Sequence, residues 1–275
     1  MRAQVILGSF LVWCIHLAAN NIKVDSISVV NQDATQDFVM VEFDLSWENS
    51  WRLSSGPANY DAAWICIKYR VNNSPWGHAR VHYVNGTDDG HQVPDGAMIN
   101  AMSDFTGSLI YRESSGSGNV NWKNIRIRWN YGQNGVQDND QVDLKVFAIE
   151  MVYVPQGPFY VGGTSGTEAN KFYQYPSTSN SYQITSENAI DVGTVNGFLY
   201  YNAVAVGGDG LGPIPVTFPK GFKAFYCMKY ELTEEQWVAF FNSLSEDQKA
   251  NRDITGPGGK NSDGVVNGNT IEWVG

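Results

Sequence analysis

His78, His82 and His91 are, by residue type, the side chains in this chain best suited to chemistry. His78 and His82 stand four apart in WGHARVHY, and in a strand that even spacing places both imidazoles on one face, with His91 close behind. A group of imidazoles is suited to zinc or copper. No cysteine or carboxylate stands at ligand spacing beside them, so histidines hydrogen-bonded within loops are the competing reading. Asp138-Asn139-Asp140, following Asn134-Gly135, offers oxygen ligands for calcium. It lacks the calcium-loop pattern with its closing Glu, and a hairpin turn accounts for it better; Asp88-Asp89-Gly90 reads the same way. Gly207-Gly208-Asp209-Gly210-Leu211-Gly212 mimics a phosphate cradle, but Pro213 and Pro215 stand where the helix of such a motif would begin. Indole faces stack on sugar rings, and Trp76 and Trp122, beside turn residues, are placed to be exposed and offer one to a carbohydrate. Trp47, Trp64 and Trp129 alternate with polar residues in strand-like runs and read as core or sheet surface.

These residues need elements to hold them, and the composition says which kind. Aromatics make up 13% of the chain with 9 Trp, which favours sheets over a helical bundle. With 275 residues there is room for two domains. Lys and Arg number 18 against 28 Asp and Glu, a net charge of −10 spread over both halves. No basic stripe is present for a phosphate backbone to bind, which argues against a nucleic-acid partner. Residues 1–19 read as a secretory signal peptide: Arg2 supplies the positive start and residues 5–19 an apolar run ending in small residues. The run is shorter than the roughly 20 residues that span a bilayer. The expectation is a secreted, periplasmic or cell-surface protein that makes no membrane contact once the signal is cleaved. Cleavage removes Cys14. Cys66 and Cys227 then remain, in AWICIKY and AFYCMKY, and read as two buried thiols, with a disulfide between them as the alternative.

Residues 20–150 alternate apolar and polar positions between turn clusters. Val39, Val41, Phe43 and Leu45 share one face, as do Ala63, Ile65, Ile67 and Tyr69, and Ile125, Ile127, Trp129 and Tyr131. Short strands with such punctuation leave no room for helical crossovers, and an antiparallel, immunoglobulin-like β-sandwich is expected. The run at 141–154 passes straight into the second part, so the joint between the two is expected to be tight. Residues 151–275 differ in texture, being rich in Gly, Ser, Thr and Asn with short apolar patches. Strands are expected at 216–218 and 222–230. Thr233-Glu234-Glu235-Gln236 is a capping box, followed by Trp237, Phe240, Phe241 and Leu244 at helical spacing for an inward face. Ser245-Glu246-Asp247-Gln248 repeats the capping signal, and a long flexible loop is expected over 253–269.

Two stretches of this second part resemble a known family. MVYVPQGPFYVG at 151–162 is similar to the opening motif M-x-x-V-P-G-G-x-F-x-M-G of the formylglycine-generating-enzyme (sulfatase-modifying factor) domain. FYCMKYELT at 225–233 resembles that family's strand F-Y-I-D-x-Y-E-V-T, and QWVAF at 236–240 its helix Q-Y-x-x-F. Met228 stands where the family often has Asp, and Glu234 where it often has Asn. A β-domain followed by such a domain also resembles a group of exported bacterial proteins. The resemblance implies part of a C-type-lectin-like α+β fold with much irregular structure. It further implies oxidation of a substrate cysteine to formylglycine with O2, a cysteine pair that holds copper, and structural calcium. That cysteine pair belongs to the family's C-terminal half, which is expected to lie beyond Gly275, so no catalytic residue and no copper or calcium ligand is assigned here. The chain is accordingly expected to be incomplete. The other reading is a non-catalytic extracellular module that binds carbohydrate or protein, or assembles with copies of itself over the face of Trp237, Phe240 and Phe241.

Overall fold

Alternation in β2 (Phe38–Arg52) decides the first layer. Val39, Val41, Phe43, Leu45 and Trp47 are buried at every second position, because successive side chains of a strand point to opposite faces. The computed structural model describes residues 21–83, 90–162, 172–177, 179–201 and 212–252. The expected signal peptide, Asp88-Asp89, the glycine run from Gly207 to Leu211 and the expected loop at 253–269 lie outside these residues, as does the chain's end. β1 (Lys23–Asp33) and β7 (Gly116–Trp129) flank β2 antiparallel, with Val39 opposite Trp129, Val41 opposite Ile127 and Phe43 opposite Ile125.

A second layer is built on β3 (Tyr60–Val71), which leaves β2 at the Arg52–Tyr60 pair. Its neighbours are β4 (Gly77–His78), β6 (Ser108–Arg112), with β5 (Ala97–Ala101) outside it, and β8 (Val142–Val154). β3 and β8 pair along their whole length, from Tyr60 opposite Tyr153 to Val71 opposite Val142. Inward residues of both layers form one core of Val41, Phe43, Leu45, Ile65, Ile67, Ile110, Ile125, Ile127 and Trp129, with Val142, Leu144, Val146 and Ala148 packed against it. The protein is mostly β, dominated by this antiparallel sheet.

β8 runs unbroken across Glu150 and Met151, where the sequence was expected to change domain. Its last four residues then take a partner from far along the chain: β13 (Phe225–Met228) pairs antiparallel with it, Phe225 opposite Val154 and Met228 opposite Met151. Between them the described residues are largely irregular, as expected. β9 (Phe159–Tyr160) pairs with β10 (Gln183–Ile184), and β11 (Val192–Gly193) pairs in parallel with β12 (Leu199–Tyr200), each two residues long. A small core of Ile184, Ile190 and Leu199 underlies them.

The expected strand at 216–218 is instead a turn, closed by the Phe218 amide on the Pro215 carbonyl. β13 is also shorter than 222–230, because the Phe222 and Lys223 amides donate to the Glu187 carboxylate and not to a neighbouring strand. Both capping boxes form as read: Thr233 and Gln236 open α1 (Glu234–Phe241), and Ser245 and Gln248 open α2 (Glu246–Ala250). Phe241 and Leu244 are buried, but Phe240 is 37% exposed, so the inward face of α1 is narrower than its spacing suggested. No described helix is long and apolar enough to cross a membrane.

Candidate functional site

Asp61 is the second residue of β3 and shares its inward face with Ala63 and Ile65, so alternation carries a carboxylate into the core. Glu150 sits opposite Ala63 on the adjoining β8 and faces the same way. Lys229 follows β13, its amide continuing the ladder by donating to the Glu150 carbonyl at 2.9 Å. The Lys229 ammonium thereby reaches both acids, donating to Glu150 Oε2 at 2.8 Å and to Asp61 Oδ2 at 3.0 Å. Side-chain exposures of 7% for Lys229, 0% for Asp61 and 1% for Glu150 make this a buried ionic triad. The carbonyls of Glu48 and Asn49 also accept from Nζ, and the rings of Trp51 and Tyr230 lie about it.

The two carboxylates are treated differently. Asp61 Oδ1 accepts from Ser50 Oγ at 2.8 Å and from the Trp51 amide at 3.0 Å, and Oδ2 accepts from Trp47 Nε1 at 2.8 Å as well as from Lys229. Ser50 is itself held by Arg112, whose Nε donates to its Oγ at 2.9 Å. Glu150 has only Lys229 on Oε2, and its Oε1 is buried without a partner. Burial pushes the Glu150 carboxyl above the ordinary glutamate range, against the opposing pull of Lys229. Burial presses the Lys229 ammonium down, but its hydrogen bonds to Glu150 and Asp61 outweigh that and hold it above the ordinary lysine value. Two acids and one base in a dry site leave one negative charge in excess, which makes Glu150 the acid that takes up a proton most readily.

On the opposite face of the same strands, one residue over, four tyrosines close the seam. Tyr60 stacks on Tyr153 at 4.7 Å and packs on Tyr111 at 4.9 Å, and its hydroxyl lies 2.8 Å from that of Tyr226. The Arg52 guanidinium covers Tyr60 and Tyr111. Burial raises the Tyr60 and Tyr226 phenols, so both stay neutral and the pair shares a hydrogen bond.

The side chains singled out from sequence lie elsewhere and do not form one ligand site. His91 accepts the Arg128 amide on Nδ1 and donates from Nε2 to the His82 carbonyl, so both of its nitrogens are in use. His82 Nδ1 meets the Asn130 side-chain amide, and His78 Nε2 donates to the Thr106 carbonyl. The three rings fasten loops to β7 and β5–β6 instead of converging. Among the described residues no group of three or more His, Cys, Asp or Glu could hold a metal ion. Trp76 and Trp122, expected to be exposed, are both half-buried. Trp76 is engaged by the Arg70 and Lys145 side chains at 4.9 and 4.8 Å from its ring centre, and Trp122 packs edge-on against Trp47 at 5.2 Å. Asp138 accepts from the Tyr131 hydroxyl and Asp140 from the Gln137 amide, as turn residues do.

Cys66 and Cys227 are both free. Cys66 lies opposite Phe147, whereas Cys227 lies opposite Val152, five residues further along β8. At about 3.3 Å per residue this is far outside disulfide reach, and it does not fit the copper-holding thiol pair that the family resemblance implies. Burial pushes the Cys66 thiol up to about 11. Cys66 is half-buried and Cys227 exposed, so neither is the fully buried thiol read from its apolar run.

Asp61, Glu150 and Lys229 were not singled out from sequence, although a signal existed. Each is a charge set within an apolar stretch (YDAAWI, FAIEMV and FYCMKY), and for Asp61 and Glu150 the alternate neighbours Ala63, Ile65 and Ala148 face the core. No family model, no curated protein and no solved structure matches the chain.

Proposed function

We propose that the chain is an exported protein in which an immunoglobulin-like β-sandwich serves as a rigid mount for a formylglycine-generating-enzyme-like domain of C-type-lectin-like fold. On this reading residues 21–150 form the mount, residues 151–252 are the opening part of that domain, docked on it through β13, and neither part itself oxidises a cysteine. The observation that carries it is the fate of FYCMK, one of the stretches on which the family resemblance rests. It supplies β13, an added strand of the sandwich, and its Lys229 enters the buried acids of the first part. A floppy tether would have no use for such a lock. The family's reaction needs two thiols in reach of each other, and Cys66 and Cys227 stand five residues apart across β8.

The test supplies the purified 275-residue chain with copper, air and a cysteine-bearing peptide, and follows thiol-to-aldehyde conversion by mass spectrometry. The expected result is an unchanged peptide. Conversion that disappears in Cys227→Ser would overturn the reading, since it would place the chemistry on a thiol of the strand that docks the domain on the mount.

A further inference from the structure

We infer that Lys229 and Asp61 are the reacting pair of an intramolecular amide bond, formed without any enzyme or cofactor, with Glu150 as the proton carrier. The geometry points to this in four ways. Amine and carboxylate are in contact, Nζ to Oδ2 at 3.0 Å, in a site with almost no exposure. A second acid touches the same nitrogen at 2.8 Å and has a buried oxygen with no partner, a place for a proton. The Ser50 hydroxyl and Trp51 amide converge on Asp61 Oδ1, where negative charge would gather during attack at the carboxyl carbon. Finally, Trp47, Trp51 and Tyr230 surround the site, and exclusion of water favours condensation over hydrolysis.

The atoms balance with nothing supplied from outside. Glu150 takes one proton from the Lys229 ammonium and passes it to Asp61 Oδ2, leaving a neutral amine beside a neutral carboxylic acid. The nitrogen lone pair forms a bond to the Asp61 carboxyl carbon, and the carbonyl electrons move to Oδ1, held by Ser50 and Trp51. Glu150 then takes a second proton from the nitrogen and gives it to Oδ2, which departs as water as the carbonyl re-forms. One amide and one water replace one ammonium and one carboxylate, and Glu150 ends as it began. The raised range of Glu150 suits a group that must hold a proton in passing. Lys229 rests as an ammonium, so the neutral amine arises only when Glu150 accepts its proton. Exchanging a buried ion pair for a neutral amide also removes the burden of keeping two desolvated charges. The bond would close a loop between residues 168 apart in sequence and make the attachment of β13 permanent.

The inference does not depend on the family reading, and its test is separate. Peptide mapping of the folded chain by tandem mass spectrometry is expected to find a branched peptide joining the Lys229 and Asp61 segments, lighter than the two together by one water. Glu150→Gln, with a far-ultraviolet circular dichroism spectrum like that of the parent, is expected to yield the two linear peptides at full mass and less than a tenth of the branched product. Lys229→Arg is expected to give none. Only linear peptides from the unaltered chain, after prolonged incubation in the folded state, would overturn the inference outright. A Glu150→Gln chain that cross-links as fully as the parent would overturn the role given to Glu150.

Discussion

Cys66 and Cys227 sit in closely similar runs, AWICIKY and AFYCMKY, yet Cys66 is half-buried and Cys227 is exposed. Cys66 lies within β3, flanked by β8, where desolvation pushes its thiol up to about 11. Cys227 lies in β13, whose only strand partner among the described residues is β8, and is exposed. The thiolate is the reactive form, so iodoacetamide at neutral pH is expected to label Cys227 and to leave Cys66 unmodified until denaturant is added. Labelling followed by peptide mass spectrometry checks this, and equal rates at the two sites in the folded chain would contradict the burial described. The same contrast shows why single residues were only partly legible. Apolar neighbours announce a strand, but whether that strand has one partner or two is set by pairing across the fold. His78, His82 and His91 were misleading for a related reason: their types suggest ligands, while their hydrogen bonds to Thr106, Asn130 and Arg128 exist only once β7 and its neighbouring loops are in place.

Elements were more legible than residues where a local rule decides them. The period-two runs became β2, β3, β7 and β8, and both capping boxes start helices, because alternation and N-terminal amide satisfaction are settled within a few residues. The 216–218 stretch failed as a strand because Pro215 and Phe218 close a turn, and no sequence period marks that choice. β6 depends on a close approach that the sequence shows only as a glycine. A β-carbon on Gly107 would lie 2.3 Å from the Ile65 carbonyl oxygen, a backbone atom unable to swing away, and 2.9 Å from the Trp64 ring. Gly107→Ala is therefore expected to force β6 off β3 locally and to cost about 1–3 kcal/mol, as overpacking does. Denaturant unfolding checks it. An alanine variant as stable as the parent would mean that Gly107 does not press on β3.

At the scale of the whole molecule, the change of texture near residue 150 was visible in the sequence, but the way the parts are joined was not. β8 was seen to run on past Glu150, yet its second partner comes from more than seventy residues downstream, and pairing at that distance leaves no local trace. The consequence is an uneven distribution of stability within residues 151–252. β13 is hydrogen-bonded to a long core strand, backed by the tyrosine cluster on one face and by Lys229 on the other. β11 and β12 pair over two residues and rest on a core of three buried side chains. Amides open at rates set by the contacts that must break around them, so those of Cys227 and Lys229, which alternate toward β8, are expected to exchange with the slow set of β3 and β8. Those of Val192 through Tyr200 are expected to exchange faster, in a separate group. Hydrogen exchange followed by mass spectrometry resolves the two segments. If β13 exchanged with the fast group while β8 stayed protected, the strand would be an ornament on the sheet and not one of its members, and Lys229 would spend much of its time away from Asp61 and Glu150.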